Sequence, residues 1–179
     1  RTKFKEQPIE DIVTADVASN FGRASCIDRT TISVYISYNA DILPKRRVNF
    51  TLGHELGHYL VHRELSSRFE CSQRNMVGFD DGERDIEGEA NTFASYLLMP
   101  LNDFRAQIGT EKISLDLLDH CANRYDVSLT AAALKWLEYT AERAVLVVSR
   151  DDFILWSRAS RSAFKSGVFF RKGTPVPAK

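Results

Sequence analysis

The stretch TLGHELGHYLVH, from Thr51 to His62, constrains the fold more than any other part of the sequence. It contains the pattern H-E-x-x-H at His54, Glu55 and His58. If the stretch is a helix, the two histidines are four residues apart and project from one face, about 6 Å apart along the axis. Two imidazoles in that arrangement can clamp one metal ion. The pattern therefore predicts a helix that is buried deeply enough to hold an ion.

A zinc ion would explain why these residue types occur together. Zinc binds imidazole nitrogen, and a catalytic zinc site has three protein ligands with a fourth position left for water. Glu55 directly follows the first histidine, so it can lie beside the metal and take the proton from that water. A pattern this short also arises by chance in soluble helices, but the flanking Leu52, Leu56 and Leu60 favour a buried helix.

Two glycines interrupt the same helix. Gly53 and Gly57 each cost a helix about 1 kcal/mol relative to alanine. A helix that contains two glycines usually needs the close approach of another segment. We expect a strand or a substrate backbone to lie against that side.

The third metal ligand has to come from elsewhere in the chain. His62 continues the series, but its Cα would lie about 12 Å from that of His54, too far for both to meet one tetrahedral ion with His58. We therefore interpret His62 as a residue that supports a ligand or packs beside it. Glu87, which precedes an apolar helical pattern, is the favoured third ligand. Asn91 lies one turn after Glu87 and is placed to hold a ligand histidine through its second nitrogen.

Other acidic and thiol side chains are open alternatives. The stretch from Arg63 to Asp85 is polar and charged, and it predicts a loop of the kind that contributes to substrate selection. Three carboxylates in it are alternative ligands without a helical partner of this kind: Asp80, Asp81 and Asp85. Cys71 could also bind the metal, but an ordinary free cysteine is the favoured interpretation. Glu89 points about 200° away from Glu87 on a helix, so we expect a solvated charge there.

Together the two segments resemble the ImmA/IrrE family of zinc metallopeptidases. Members carry HELGH on one helix and E-x-x-A-N-x-F-A-x-x-L-L-M-P on the next, and this chain has HELGHYLVH and EGEANTFASYLLMP in the same order. The resemblance implies that His54, His58 and Glu87 bind zinc. It also implies that Glu55 is the catalytic base and that Asn91 supports a ligand. Some members are proposed to act on helix-turn-helix repressors, which suggests such a partner here.

Composition bounds the remaining possibilities. At 179 residues with 44% hydrophobic content, the chain can bury the core of one domain. Its 24 basic and 24 acidic residues cancel, so no general electrostatic argument favours binding to nucleic acid or membranes. Three widely spaced cysteines, Cys26, Cys71 and Cys121, suggest reduced thiols in a cytoplasmic protein. No apolar run approaches 18 residues, so we expect no membrane insertion. The oligomeric state cannot be predicted.

The N-terminal part predicts a helix and then a strand. Residues from about Pro8 to Phe21 place Ile and Val on one side at helical spacing, with Gly22 as a stop. Thr31 to Tyr38 is β-branched and aromatic with alternating pattern, and it predicts a strand. We expect this strand to offer its edge to an extended substrate. The basic run Lys45-Arg46-Arg47 leads into the histidine helix, where its charges oppose the helix dipole. These charges could serve a partner, but a solvated turn is the favoured interpretation.

The C-terminal half predicts helices followed by a β-hairpin. Three helices are expected, at about Leu101–Ile108, Ser114–Tyr125 and Ser128–Tyr139. The last two resemble a helix-turn-helix, but Lys135 is the only basic residue on the second, whereas a DNA reader needs several contacts to phosphates and bases. We therefore favour helical packing over DNA binding. Ala144–Ser149 and Phe153–Ser157 predict the hairpin.

These observations lead to one prediction for fold and function. We expect a single α+β domain of zincin type over residues 1–179, with a small sheet on the active-site helix, a mainly helical C-terminal half and a terminal hairpin. The core should span about residues 31–140, and the hairpin and tail about 144–179. The expected function is zinc-dependent endopeptidase activity on a repressor or antitoxin-type regulator. The alternative is a non-cleaving regulatory or DNA-associated protein with a structural metal. Manganese is the alternative to zinc.

Overall fold

The computed structural model describes residues 9–14, 22–25, 34–38, 46–63, 69–71 and 86–177. Within these ranges the chain has a four-stranded sheet, six α-helices and a C-terminal hairpin, which confirms the predicted α+β class. Its contacts divide it into two compact units. The first runs to Gly109 and includes Tyr125–Val127, while the second comprises Thr110–Arg124 and the chain from Ser128 onward. The expectation of a single domain stays a prediction.

The first unit contains the four-stranded sheet. Its strands are β1 (Ile9–Thr14), β2 (Gly22–Ser25), β3 (Val34–Tyr38) and β4 (Phe69–Cys71), in the spatial order β1-β3-β2-β4. β1 runs parallel to β3, while β2 is antiparallel to both β3 and β4. The predicted strand is confirmed over β3, and residues 31–33 lie outside the described part. Since β3 pairs on both sides, the expectation that it offers an edge to substrate was wrong.

The predicted helix near the N-terminus was also wrong. Residues Ile9–Thr14 form β1, and Gly22 begins β2 instead of ending a helix. Residues 15–21 of the predicted helix lie outside the described part. The spacing of the apolar residues fits a helix, but β-branched side chains such as Ile9, Ile12 and Val13 favour strands. Pairing with β3, a partner distant in sequence, decides the outcome.

The histidine helix covers the sheet. α1 spans Arg46–Gly57 and continues directly into a π-helical turn, His58–His62. It packs against β2 and β3, and Ile36 of β3 is only 2% exposed. A small sheet packed on this helix is what the sequence predicted.

Two further helices complete this part of the first unit. α2 spans Ile86–Leu98 and packs along α1, and α3 spans Leu101–Ile108 as predicted. Pro100, which cannot continue α2, sits at the start of α3. β4 lies inside the stretch that was predicted to be a loop, and apart from Arg63 the rest of that stretch lies outside the described residues.

Asp126 contacts two side chains in the first turn of α1. Its carboxylate accepts a hydrogen bond from the Asn49 amide at 2.8 Å and lies 3.4 Å from the Arg46 guanidinium. A negative charge is favourable beside the positive end of a helix dipole, and α1 has no acidic residue in its own first turn. The expectation that Arg46 is simply solvated was therefore wrong.

The second unit is built from three helices and the hairpin. They are α4 (Leu115–Arg124), α5 (Leu129–Tyr139), β5 (Val145–Arg150), β6 (Phe153–Ala159) and α6 (Arg161–Lys165). The predicted caps are confirmed, because Ser114 Oγ accepts from the Leu117 N–H and Ser128 Oγ from the Ala131 N–H, both at 3.1 Å. The sequence did not predict α6, which Ser160 caps in the same way.

Two further features are the length of the helices and the state of Cys121. None of the helices in the described ranges combines the length and the apolar character needed to cross a membrane. Cys121, in α4, is fully buried and forms no disulfide, as expected from the cysteine count.

Candidate metal centre

Small residues let α1 and α2 approach closely. A Cβ built on Gly53 would lie 3.4 Å from the Cβ of Ala94, and one built on Gly57 would lie 3.2 Å from the Cα of Ala90. Both alanines are completely buried. The expectation that the glycines admit a close neighbour is confirmed, but that neighbour is helix α2 rather than a strand or a substrate.

This close contact brings side chains from the two helices to one point. His54 Nε2 and His58 Nε2, one turn apart on α1, lie 2.9 Å from each other. Glu87, in the first turn of α2, places Oε2 3.3 Å from His54 Nε2 and Oε1 3.5 Å from His58 Nε2. The two histidines are fully buried, while 21% of the Glu87 side chain is exposed. These three predicted ligands therefore lie together.

The spacing of the three groups fits a tetrahedral metal ion. Two donor atoms that each lie about 2.0–2.1 Å from a tetrahedral zinc are separated by about 3.3 Å. The two imidazole nitrogens are 2.9 Å apart, and each lies 3.3 or 3.5 Å from a different oxygen of the Glu87 carboxylate, all close to that value. One ligand atom from each residue can be chosen so that all lie within 4.8 Å of one another. Two imidazoles and one carboxylate are also a donor set that suits zinc.

The second ring nitrogen of each histidine also has a partner. His54 Nδ1 lies 2.9 Å from Asn91 Oδ1, the contact expected of an amide one turn after Glu87. His58 Nδ1 lies 3.1 Å from His62 Nδ1, and so His62 meets the far side of His58 rather than the cluster. Partners of this kind orient a metal-binding imidazole and select its tautomer.

The electrostatic environment favours the protonation states that a cation requires. Burial lowers the pKa of His58, because the charged imidazolium is disfavoured away from water. Burial by itself would raise the pKa of Glu87, but hydrogen bonds with His54 and His58 outweigh it and hold this pKa at about 2. A neutral imidazole and an ionised carboxylate are the forms that bind a metal.

Other residues considered in the sequence are placed as follows. Glu55, directly after His54 in α1, has a completely buried side chain. Cys71 lies in β4, where only its backbone is described. Three alternative ligands lie outside the described residues: Asp80, Asp81 and Asp85.

Glu89 differs from the expectation. It is not part of the cluster of His54, His58 and Glu87, but it is not merely a solvated charge, because its Oε2 is 2.9 Å from His62 Nε2. The side chain remains 59% exposed. The sequence feature that could have indicated this contact is the third histidine of HELGHYLVH. His62 repeats the four-residue spacing, and the ring nitrogen that points away from His58 needs a partner.

Comparison with known families agrees with this geometry. The chain matches the model of peptidase family M78, described as the IrrE N-terminal-like domain, over residues 6–137. No curated protein matches the chain significantly. The matched range contains all the residues of the cluster and most of the chain, and the family supports a metallopeptidase-type function and a zincin-like fold. The chain therefore belongs to the ImmA/IrrE family, as its two sequence patterns predicted.

Proposed function

We propose that this protein is a zinc-dependent endopeptidase. The observation that carries the proposal is the convergence of His54, His58 and Glu87 at separations that suit one tetrahedral ion. Membership of a peptidase family supports the same reaction class. Glu87 is the least buried of the three ligands, and access from its side is what a hydrolytic site needs.

The chain's own residues have distinct roles in this proposal. His54, His58 and Glu87 hold the zinc, and Asn91 orients His54 by accepting its Nδ1 proton. When bound, zinc lowers the pKa of water and polarises a peptide carbonyl. The Glu55 carboxylate accepts the proton of the attacking water and later returns it to the leaving amine. Burial of Glu55 keeps this proton transfer away from bulk solvent.

We further propose a protein substrate in the cytoplasm, such as a repressor or an antitoxin-type regulator. Family membership supports a protein substrate, and the buried Cys121, which forms no disulfide, suits a reducing compartment. Zinc is favoured over manganese because two of the three donors are imidazole nitrogens.

Direct reading of DNA by α4 and α5 is the competing function. It requires basic side chains on the exposed face of α5. Lys135 is the only basic residue of that helix, and it is 1% exposed with its ammonium 3.2 Å from Glu138. A buried lysine cannot contact phosphates, so this observation favours the peptidase.

The decisive experiment is the substitution Glu55→Gln. Purified protein loaded with zinc is incubated with a purified helix-turn-helix repressor, and fragments are identified by mass spectrometry. We expect the variant to retain stoichiometric zinc and to cleave about 100- to 10,000-fold more slowly, because the general base is lost. Glu111, an exposed carboxylate in the second unit, supplies the matched control: Glu111→Gln should cleave like the parent protein.

The same experiment separates the alternative functions. Undiminished cleavage by Glu55→Gln would reject the mechanism. A regulator with a structural metal would instead show no chelator-sensitive cleavage, and its biological function would survive the substitution. Salt-dependent binding to duplex DNA by the parent protein would favour the DNA-associated alternative.

A further inference from the structure

We propose that Glu89 and His62 are a positioning pair that fixes the ring proton of His58 on Nδ1 and so directs the Nε2 lone pair of His58 at the metal. This role rests on the metal site proposed above and deepens it. Neither residue binds the ion, because both act on the far side of His58. The proposal follows from the positions of ring nitrogens along a single row of hydrogen bonds.

The proton positions follow from one requirement. A neutral imidazole has one ring proton, so a His58 that binds metal through Nε2 carries its proton on Nδ1. That proton points at His62 Nδ1, 3.1 Å away, which must therefore be an acceptor. His62 then carries its own proton on Nε2 and donates it to Glu89 Oε2, 2.9 Å away. Each proton position in the row determines the next.

The π-helical turn supplies the geometry for this row. His58 begins the turn and His62 ends it. The two ring centroids lie 5.2 Å apart with the planes tilted by 54°, so the rings meet nitrogen to nitrogen rather than stacking. Single π turns inside helices frequently mark functional sites. Here the turn places a second imidazole against the outer nitrogen of a ligand.

The first turn of α2 provides a carboxylate at each end of the row formed by His58 and His62. Glu87 approaches His58 Nε2 on the metal side, and Glu89 approaches His62 Nε2 at the other end. Residues two apart on a helix project in directions about 200° apart, which lets neighbouring carboxylates of one turn reach different groups. The close packing of α1 on α2 therefore sets both contacts together.

The two ligand histidines have different partners, which suggests different roles. His54 donates directly to the neutral amide of Asn91. His58 reaches a carboxylate, but only through the second imidazole of His62. A charged acceptor increases the basicity of a ligand more than a neutral one does. His58 should thus be the stronger donor to the metal.

Burial explains why an intermediate histidine is used. His62 is 1% exposed, so leaving its Nε2–H without a hydrogen-bond acceptor would cost folding free energy. The Glu89 side chain is 59% exposed, which keeps its charge hydrated. The row therefore joins a buried ligand to a surface carboxylate without burying a charge.

Charge reversal and neutral substitution of Glu89 test the proposal. Lysine has donors only, so Glu89→Lys removes the acceptor for His62 Nε2 and favours the opposite proton positions. Glutamine keeps an acceptor oxygen but no charge. In a chelator competition with Zn²⁺ as the probe, we expect Glu89→Lys to lower affinity by about 10- to 100-fold and Glu89→Gln by less. Glu111→Lys, an exposed charge reversal in the second unit, should leave the affinity unchanged.

Nitrogen NMR of the histidine side chains provides a readout that does not depend on cleavage. In the zinc-loaded parent protein we expect the proton on Nδ1 of His58 and on Nε2 of His62. In Glu89→Lys the His62 proton should move to Nδ1 or become divided between the two nitrogens. A purely structural or long-range electrostatic role of Glu89 would change affinity without moving that proton.

The outcomes are separable from those of the proposed function. A His62 proton on Nδ1 in the zinc-loaded parent protein would overturn the inference, and so would full zinc affinity in Glu89→Lys. Either result could occur in an active peptidase. Conversely, the expected proton positions with no cleavage of any substrate would support the positioning pair while rejecting the peptidase. Should Glu89→Lys fail to fold, the parent spectrum and Glu89→Gln decide the question.

Discussion

Gly57 packs so closely on α2 that a Cβ at this position would lie 3.2 Å from the Cα of Ala90. The same Cβ would lie 3.2 Å from Phe93 Cβ, so backbone as well as side chain would have to move. Gly57 immediately precedes His58, and Ala90 lies one turn after Glu87. The contact between these helices therefore controls how far the Glu87 carboxylate lies from the two histidines.

This relationship predicts opposite results for two similar substitutions. Gly57→Ala should destabilise the fold by about 1–3 kcal/mol through overpacking, partly offset by about 1 kcal/mol of helix propensity, and it should weaken zinc binding. Gly53→Ala, whose Cβ would meet Ala94 at an ordinary 3.4 Å, should be neutral or stabilising by up to about 1 kcal/mol and should keep zinc affinity. Urea unfolding and zinc competition measure both quantities. Equal effects of the two substitutions would contradict the argument.

The sequence was informative about this site for a physical reason. Helix geometry alone relates His54 to His58 and Glu87 to Asn91, because each pair is four residues apart. Such local relations can be predicted without knowing the fold. The pairing of the two helices was expected from the resemblance, and the glycines indicated that something would pack closely. The glycines did not reveal that the closely packed neighbour would be α2, the helix that carries Glu87.

The contact between His62 and Glu89 shows where prediction from sequence ends. On a regular helix His62 lies one turn beyond His58, and its outer nitrogen has no evident partner. The π-helical turn and the packing of α2 together bring Glu89 to that nitrogen. Neither feature has a local sequence signal. In the same way β1 was mistaken for a helix, because its partner β3 is distant in the chain.

Removal of the metal should lower the stability of the protein. An ion that binds only the folded chain stabilises it by about 4 kcal/mol at a concentration 1,000 times its Kd. For a chain of this size that corresponds to a decrease in Tm of about 8–16 °C when a chelator is added. Differential scanning calorimetry with and without chelator measures the change, and added zinc should reverse it. The double variant His54→Ala, Glu87→Ala should show no dependence on zinc, and a persistent dependence would place the ion elsewhere.

Lys135 should make the stability of the second unit depend on pH. Burial lowers its pKa below 10.5, although Glu138 partly opposes this shift. Between the lowered pKa and 10.5 the unfolded chain binds more protons than the folded chain, so this group makes stability rise with pH across that window. Lys135→Met should remove the rise and should be neutral or stabilising by about 1–4 kcal/mol at neutral pH. Urea unfolding from neutral to alkaline pH tests this, and an unchanged slope in the variant would contradict it.

Asp126 should stabilise the start of α1 through its charge. It adopts a left-handed backbone conformation with φ of 50°, which asparagine also tolerates, so Asp126→Asn changes the charge with little backbone strain. We expect a loss of about 0.3–1 kcal/mol, because the helix dipole and Arg46 lose their anionic partner while Asn49 keeps an acceptor. The loss should diminish at high salt, since the charges are partly exposed. Unfolding at low and high ionic strength measures it, and a loss independent of salt would point to packing instead.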